Sequence, residues 1–254
     1  MPFVVAPDGT KLFYEMVGSG APLVLQTGGA GDGSMWRDAG YVEALSSVRR
    51  CLLFDHRGHG RSDQPPLPES HSMARYAADV IALLDHAGIE RAAFWGYSQG
   101  GEIGIALAAL HPERLTALIT TGVISNPDRS ADAADIREAI EGIRLRGWDA
   151  IVEPTELAAA PAWFSRQVQS TNPQMLSLWF EAYDTWSPWA RLPEIATPIL
   201  MFVGELEDPE DWNSRAAQLA INARVVRLPG LNHLDAYVRS DLVLPSAIEF
   251  LSTT

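Results

Sequence analysis

Ser98 is the residue of this sequence whose surroundings most clearly indicate chemistry. It is the centre of "GYSQG", residues 96–100, between an apolar run that ends at Gly96 and a run of small residues that follows. A G-x-S-x-G pattern is weak evidence by itself. The context strengthens it, because a sharp strand-to-helix turn with small flanking residues would lift the serine hydroxyl above a sheet. We therefore predict that Ser98 is a nucleophile.

A serine hydroxyl is a poor nucleophile until a base accepts its proton, so a histidine is required. The sequence contains His56, His59, His71, His86, His111 and His233. The chain order expected for such a turn is nucleophile, acid, base, and only His111 and His233 follow Ser98. His111 ends the helix that begins at the serine, about 20 Å away at a rise of about 1.5 Å per residue. We therefore predict His233, in "LPGLNHLD" directly after a predicted strand, as the base.

The third member of such a site is an acid that orients the imidazole and stabilises its cation. The strand "PILMFVG" is followed by "ELEDPEDW", which offers Glu205, Glu207 and Asp208. Most carboxylates in such an acidic run are solvated, so the run indicates the place of the acid better than the residue. Asp128, beyond the preceding strand, is the alternative if this loop does not supply it.

Two backbone N–H groups are candidates for an oxyanion hole, a pair of donors for the charge that develops on a carbonyl oxygen. The Gln99 N–H would stand at a helix N-terminus, where negative charge is favoured. The second donor is expected in "LQTGGAGDGSMW", a glycine-dense turn that opens a helix, with Gly29 as its best candidate.

Strands alternate with helices along most of the chain, which predicts an α/β fold. Residues 2–6 and 10–17 are predicted as a hairpin, and buried strands then alternate with helices such as "SMWRDAGYVEALSS" and "SMARYAADVIALLDHAG". Strand–helix alternation implies a parallel sheet with helices on both faces. We predict a mostly parallel, doubly wound sheet of about eight strands.

Residues 126–193 interrupt the alternation and are predicted as a small helical lid inserted after the sixth strand. Residues 1–125 and 194–254 then form the core of a single domain. The lid contains five of the eight tryptophans, namely Trp148, Trp163, Trp179, Trp186 and Trp189. Most are expected to bury the thin helical layer, and we select Trp163 and Trp186 as candidates for substrate binding.

The composition excludes several classes of partner. The formal net charge of −13 makes nucleic acid and anionic membrane surfaces poor partners. Zinc-type spacings and the Walker and dinucleotide fingerprints are absent from the sequence, so we expect no metal and no cofactor. The single Cys51 suits a reducing compartment, and with no apolar run of about 18 residues we expect a cytoplasmic protein. A small-molecule substrate is expected, and the sequence leaves open whether the protein forms a homo-oligomer.

The sequence resembles the α/β-hydrolase superfamily over essentially its whole length. Besides "GYSQG", "FDHRGHGRSD" at 54–63 resembles the family's D-x-R-G-x-G-x-S segment, and "LPGLNHLD" its G-x-x-H ending. The resemblance implies that His56 and His59 shape a turn. It also favours Glu207 over Asp208 as the acid, because Glu207 is the third residue after Gly204, where the family has Asp. Thr27 departs from the family too, which usually has His there.

This resemblance implies a serine hydrolase of the esterase or lactonase kind, acting on a small apolar or aromatic substrate through an acyl-enzyme. Family members that cleave haloalkanes or epoxides have Asp at the position of Ser98, which argues against those reactions. The first alternative is a carbon–carbon bond hydrolase or lyase, or a cofactor-free perhydrolase, with the same three residues. The second alternative is a receptor that keeps these residues and binds its ligand without turnover.

Overall fold

The computed structural model describes residues 2–122, 129–182 and 186–254. Its strands are β1 (Phe3–Val5), β2 (Lys11–Val17), β3 (Ala21–Gln26), β4 (Arg49–Phe54), β5 (Ala92–Tyr97), β6 (Leu115–Thr121), β7 (Ile199–Gly204) and β8 (Ala223–Leu228). Within the described residues they form one eight-stranded sheet in the order β1-β2-β4-β3-β5-β6-β7-β8. The pairs β1–β2 and β2–β4 are antiparallel, and the pairs from β4 to β8 are parallel. The predicted α/β fold with a mostly parallel sheet is confirmed.

Helices cover both faces of this sheet. They are α1 (Met35–Asp38), α2 (Tyr41–Leu45), α3 (Met73–His86), α4 (Gln99–Leu110), α5 (Arg129–Arg146), α6 (Pro154–Ala159), α7 (Ala162–Ser170), α8 (Gln174–Ala182), α9 (Trp212–Leu219), α10 (His233–Val238) and α11 (Ser240–Ser252). Side chains of one strand alternate between two cores. On β3, Val24 packs in the core that contains α3 and α4, whereas Leu23 and Leu25 pack in the core that contains α1, α2, α10 and α11.

The structure differs from the sequence-based expectation at two helices. The single helix predicted from "SMWRDAGYVEALSS" is instead two short helices, α1 and α2, because Gly40 between them has φ of +83°. The segment "LPGLNHLD", for which no helix was predicted, contains the start of α10, which begins at His233. Asn232 caps this helix, since its Oδ1 accepts the Asp235 N–H at 2.8 Å.

Helices α5–α8 lie in the chain between β6 and β7, where the sequence predicts the lid, and we call them the lid helices. The predicted start of the lid at residue 126 lies outside the described residues. Prolines mark the beginnings of three of these helices: Pro154 is the first residue of α6, Pro161 caps α7, and Pro173 directly precedes α8. Proline favours the first turn of a helix, where its missing N–H would have no intrahelical partner.

The carboxyl ends of the parallel strands bring distant parts of the chain together at one edge of the sheet. β3 is followed by the glycine-rich loop 27–33, β5 by Ser98, β6 by Gly122 and β7 by the acidic loop 205–208. Because β5 pairs with both β3 and β6, the turn at Ser98 stands near the middle of this edge. Such an edge is where open α/β sheets bind ligands.

We expect Gly100→Ala to lower the free energy of unfolding by about 3 kcal/mol or more, because backbone atoms surround this glycine. A Cβ at Gly100 would lie 2.6 Å from the Gln26 carbonyl oxygen and 2.7 Å from that of Thr27. Gly88→Ala is the matched control, since Gly88 has φ of +65° but no heavy atom within 4 Å of such a Cβ. It should cost only about 1 kcal/mol. Urea denaturation followed by circular dichroism measures both, and equal losses would contradict the packing argument.

Candidate active site

Ser98 lies at a strained turn between β5 and α4. Its φ is +54°, in a region that residues other than glycine rarely adopt, and its N–H donates to the Thr121 carbonyl oxygen at 2.7 Å. The turn is so tight that a Cβ at Gly96 would lie 2.1 Å from the Gly100 carbonyl oxygen. Small residues on both sides of Ser98 are therefore a steric requirement of the turn, and α4 can begin at Gln99 directly after the serine.

His233 and Glu207 form a hydrogen-bonded pair. Nδ1 of His233 contacts Oε2 of Glu207, and the other carboxylate oxygen, Oε1, accepts the Gly204 N–H at 2.7 Å. The Glu207 side chain is 6% exposed and that of His233 is 41% exposed. A buried carboxylate with both oxygens engaged holds the imidazole in one tautomer, with Nε2 left as the proton acceptor.

Two neighbours hold the His233 ring in place. The Tyr97 ring stacks on it with a centroid distance of 5.0 Å, and the Tyr97 hydroxyl donates to the His233 carbonyl oxygen at 3.2 Å. On another side, a Cβ at Gly122 would lie 2.9 Å from His233 Cε1 and 3.4 Å from the Ser98 nitrogen. Gly122 therefore leaves the space in which the imidazole approaches the serine. Neither neighbour was predicted from the sequence, although Tyr97 occupies the variable position before the serine in the motif.

Asp208, the competing acid candidate, points away from His233. Its side chain is fully buried and accepts the N–H groups of Trp212 at 2.6 Å and Asn213 at 3.1 Å, the first residues of α9. It also forms an ion pair with Arg227 at 3.3 Å. These contacts cap a helix and anchor a strand. Asp128, the other alternative, lies outside the described residues.

Gly29 and Gln99 both line the cavity next to Ser98. Neither backbone N–H has a hydrogen-bond acceptor among the described residues. The Gly29 carbonyl oxygen, by contrast, lies 2.9 Å from Nε2 of His59, a buried side chain that the sequence analysis assigned only to a turn. Two backbone donors beside a serine, with no acceptor of their own, are the geometry expected of an oxyanion hole.

The cavity has a volume of about 190 Å³ and lies between Ser98, His233 and the lid helices. Its walls are apolar and aromatic, and they include Met35, Trp148, Ile151, Val152, Phe164, Val168, Leu176, Trp179 and Phe180. None of the described residues that line it is Asp, Glu, Lys or Arg. A charged group that entered this space would therefore lose its hydration without gaining an ionic partner.

The selection of Trp163 and Trp186 for substrate binding needs correction. Within the described residues neither lines the cavity, and the tryptophans that do are Trp148 and Trp179. Trp163 packs against Phe164 with a ring-centroid distance of 5.7 Å, and Trp186 packs against the core on the α3 and α4 face. Their indole rings fill the layer between lid and core, the role expected for most aromatic residues of a thin helical layer.

The described residues contain neither a metal-binding cluster nor a membrane-spanning helix. No group of three or more His, Cys, Asp or Glu side chains there is arranged to hold a metal ion. Every helix in the same part of the chain is too short or too polar to span a bilayer.

Comparison with known proteins places the chain in a family. The family model for the alpha/beta hydrolase fold matches residues 21–225, and the chain belongs to this family. The stated resemblance is thereby confirmed. Among solved structures, an enol-lactonase from Burkholderia xenovorans LB400 is 28% identical, with a TM-score of 0.81 over 99% of this chain and 100% of that one. An esterase from Thermogutta terrifontis, 23% identical, shares the fold with a TM-score of 0.84 over 99% and 97% of the two chains.

Curated relatives have several names. A non-heme haloperoxidase from Rhodococcus erythropolis is 28% identical over 100% of both chains. A putative carbamate hydrolase RutD from Caulobacter sp. (strain K31) is 39% identical over 121 residues, which is 46% of this chain. That match spans 44% of the relative, less than half of its length.

Proposed function

We propose that the protein is a serine hydrolase that cleaves a carboxylic ester or lactone of a small, uncharged, apolar or aromatic substrate. The observation that carries the proposal is the convergence of three features on one apolar cavity. These are the strained Ser98 turn, the His233–Glu207 pair, and the N–H groups of Gly29 and Gln99, which have no acceptor among the described residues. The family membership and the relative named enol-lactonase support the same class of reaction.

In the proposed reaction, Ser98 Oγ attacks the carbonyl carbon of the substrate while His233 Nε2 takes the hydroxyl proton. Glu207 stabilises the imidazolium that results. The carbonyl oxygen becomes an oxyanion, bound by the N–H groups of Gly29 and Gln99, and the N-terminus of α4 adds its favourable potential. The alkoxide then leaves with the proton from His233. Water attacks the acyl-Ser98 ester by the same route and releases the acid.

The cavity supports the substrate class. An apolar cavity of about 150 Å³ can take up benzene, so the observed volume of about 190 Å³ suits a short or single-ring group. It lies below the range of about 300–1,000 Å³ that is usual for drug-sized ligands. The uncharged, partly aromatic walls favour an apolar group over a carboxylate or an amine.

A second candidate reaction is perhydrolysis, which the full-length match to a non-heme haloperoxidase favours. In this reaction hydrogen peroxide replaces water in the attack on acyl-Ser98. The bond between the acyl carbon and Ser98 Oγ breaks, a peroxy acid leaves, and the proton returns to Oγ through His233. Detection of peroxy acid from an ester or a carboxylic acid in the presence of hydrogen peroxide, lost in Ser98→Ala, tests this candidate.

Ser98→Ala should lower kcat by roughly 10⁴- to 10⁶-fold while leaving the fold intact, because the hydroxyl supports chemistry and not packing. His233→Ala should cost about as much, since nucleophile and base act as a unit. Hydrolysis of a p-nitrophenyl ester measures both.

Intact-mass analysis should show one fluorophosphonate adduct on the wild type and none on Ser98→Ala. Full activity of His233→Ala, or an adduct on another residue, would refute the proposed mechanism. Tight ligand retention without turnover would favour the receptor alternative.

Glu207→Gln and Asp208→Asn should separate activity from stability. Both substitutions keep the shape of the side chain and remove its charge. Glu207→Gln should lower kcat by about 10³- to 10⁴-fold because the imidazolium loses its stabilising anion. Asp208→Asn should leave kcat within about threefold of the wild type but lower the free energy of unfolding by about 1–3 kcal/mol, because the amide nitrogen cannot accept one of the two α9 N–H groups that the carboxylate binds. Steady-state kinetics and urea denaturation are the measurements. The reverse order in kcat would transfer the acid role to Asp208.

A series of p-nitrophenyl esters should show the size and charge limits of the cavity. From acetate to pentanoate, kcat/KM should rise by up to about fourfold per methylene, since each buried CH₂ contributes about 0.8 kcal/mol, and then fall once the cavity is full. The hemisuccinate ester, close to the pentanoate in size but anionic, should be at least about 100-fold worse. A flat series, or an equally good hemisuccinate, would contradict the proposed substrate class.

Ile151→Ala should move the optimum of this series to longer chains, because Ile151 lines the cavity. It is also 40% exposed, so its truncation should leave the fold intact. Leu145→Ala is the matched control, since Leu145 is 84% exposed and should leave the optimum unchanged.

A further inference from the structure

The loop that contains Gly29 cannot set its own conformation through side-chain packing. Residues 28–33 read Gly-Gly-Ala-Gly-Asp-Gly, and glycine has the widest choice of backbone conformations. Three side chains from elsewhere in the chain bind this segment, which we call the oxyanion loop. His59 binds at Gly29, Thr171 at Gly31, and Asp55 at Gly33, where its Oδ1 accepts the N–H at 2.8 Å.

His59 determines the direction of the Gly29 carbonyl. Burial lowers the pKa of His59, so the ring is neutral near pH 7 and has one N–H to donate. Nε2 lies 2.9 Å from the Gly29 oxygen and Nδ1 lies 3.2 Å from the Arg57 oxygen, so the shorter contact favours the proton on Nε2. A stacked His56 ring, 3.8 Å away between centroids, keeps the imidazole in this position.

A carbonyl held by His59 cannot rotate into the cavity. If the Gly29 carbonyl oxygen turned towards Ser98, it would present negative partial charge where the oxyanion forms. The Gly29 N–H belongs to the preceding peptide group, which is joined to this carbonyl through the Gly29 Cα, so a fixed carbonyl also limits how far that group can turn. The His59 contact therefore excludes a conformation that would repel the transition state.

Thr171 holds the same loop from the lid side. Its Oγ1 accepts the Gly31 N–H at 2.7 Å and donates to the Gln167 carbonyl oxygen at 2.9 Å, so the hydroxyl is fixed in both directions. Thr171 directly follows α7, and Phe164 and Val168 of that helix line the cavity. One lid helix thus shapes the substrate cavity and also fixes the loop that binds the oxyanion.

We propose that His59 and Thr171 are positioning residues that hold the Gly29 N–H in the oxyanion hole, His59 from the core and Thr171 from the lid. This inference rests on the proposed serine hydrolase function. Neither residue touches the substrate in this assignment. Each acts through the backbone of the oxyanion loop, so the loss of either should weaken transition-state binding more than substrate binding.

The test compares His59→Asn with His59→Gln and Thr171→Val with Thr171→Ser. A Gln amide nitrogen stands where Nε2 of histidine stands and can still donate to Gly29, whereas an Asn amide ends near Nδ1 and cannot. Ser keeps the hydroxyl of Thr171, and Val keeps its shape alone. Gln64→Ala is the control, because Gln64 accepts another lid hydrogen bond, from Asn172 Nδ2 at 3.2 Å, outside the oxyanion loop.

We expect His59→Asn and Thr171→Val to lower kcat by about 10- to 100-fold with KM within about threefold of the wild type. The rate of Ser98 labelling by a fluorophosphonate should fall by a similar factor, because phosphonylation also builds negative charge on an oxygen in the hole. His59→Gln and Thr171→Ser should recover kcat to within about threefold, and Gln64→Ala should match the wild type. Thermal unfolding by circular dichroism checks that each variant is folded.

The outcomes distinguish this inference from the proposed function. Folded His59→Asn and Thr171→Val enzymes with wild-type kcat and labelling rate would overturn the inference, as would an equal fall in Gln64→Ala. If the His59 variants do not fold, the comparison of Thr171→Val with Thr171→Ser decides. A wild-type protein that neither hydrolyses the esters nor is labelled at Ser98 would instead refute the serine hydrolase function itself.

Discussion

The positive φ of Ser98 is the constraint on which the rest of the site depends. A residue other than glycine in this region costs on the order of 1–3 kcal/mol, and it persists only where the surrounding structure compensates for that strain. Here the compensation comes from the fully buried strand β5, from the largely buried helix α4, and from the hydrogen bond to Thr121. The same turn requires glycine at 96 and 100, since any larger residue would collide with backbone atoms.

The segment 55–61, which follows β4, contacts the oxyanion loop and holds it in place. Asp55 accepts the N–H groups of Gly33 and Arg61, at 2.8 and 3.0 Å, and so joins the oxyanion loop to its own turn. The Arg57 guanidinium, 1% exposed, forms two hydrogen bonds with Asp79 on α3, at 2.7 and 2.6 Å. These buried contacts of Asp55 and Arg57 hold the turn that contains His59 in place. The segment therefore shapes a turn, as its resemblance to the family implies, and it also contacts the loop that contains Gly29.

Much of the fold could be predicted from the sequence because the relevant signals are local. The strand–helix alternation, the hairpin at the start and the small residues around Ser98 each depend on residues a few positions apart. The position of His233 after the last strand followed from chain order and reach. Cavity walls do not follow from such signals, because the face that a lid helix presents to the core depends on contacts far apart in sequence. The sequence therefore does not distinguish Trp163 and Trp186, the two candidates, from Trp148 and Trp179, which line the cavity.

The two neighbouring carboxylates after β7 show why a sequence can locate an acid without identifying it. Glu207 and Asp208 both have a carboxylate side chain, and the path of the backbone after Gly204 decides which of them faces His233. That path turns Glu207 towards the sheet edge, where one oxygen accepts the Gly204 N–H and the other reaches His233. It turns Asp208 towards α9, where two N–H groups and Arg227 surround the carboxylate. A glutamate is one methylene longer than an aspartate, which gives it the reach to bind its own turn and the imidazole at once. The Asp208 carboxylate instead accepts the first N–H groups of α9. The two acids have separate tasks because the chain points them in different directions.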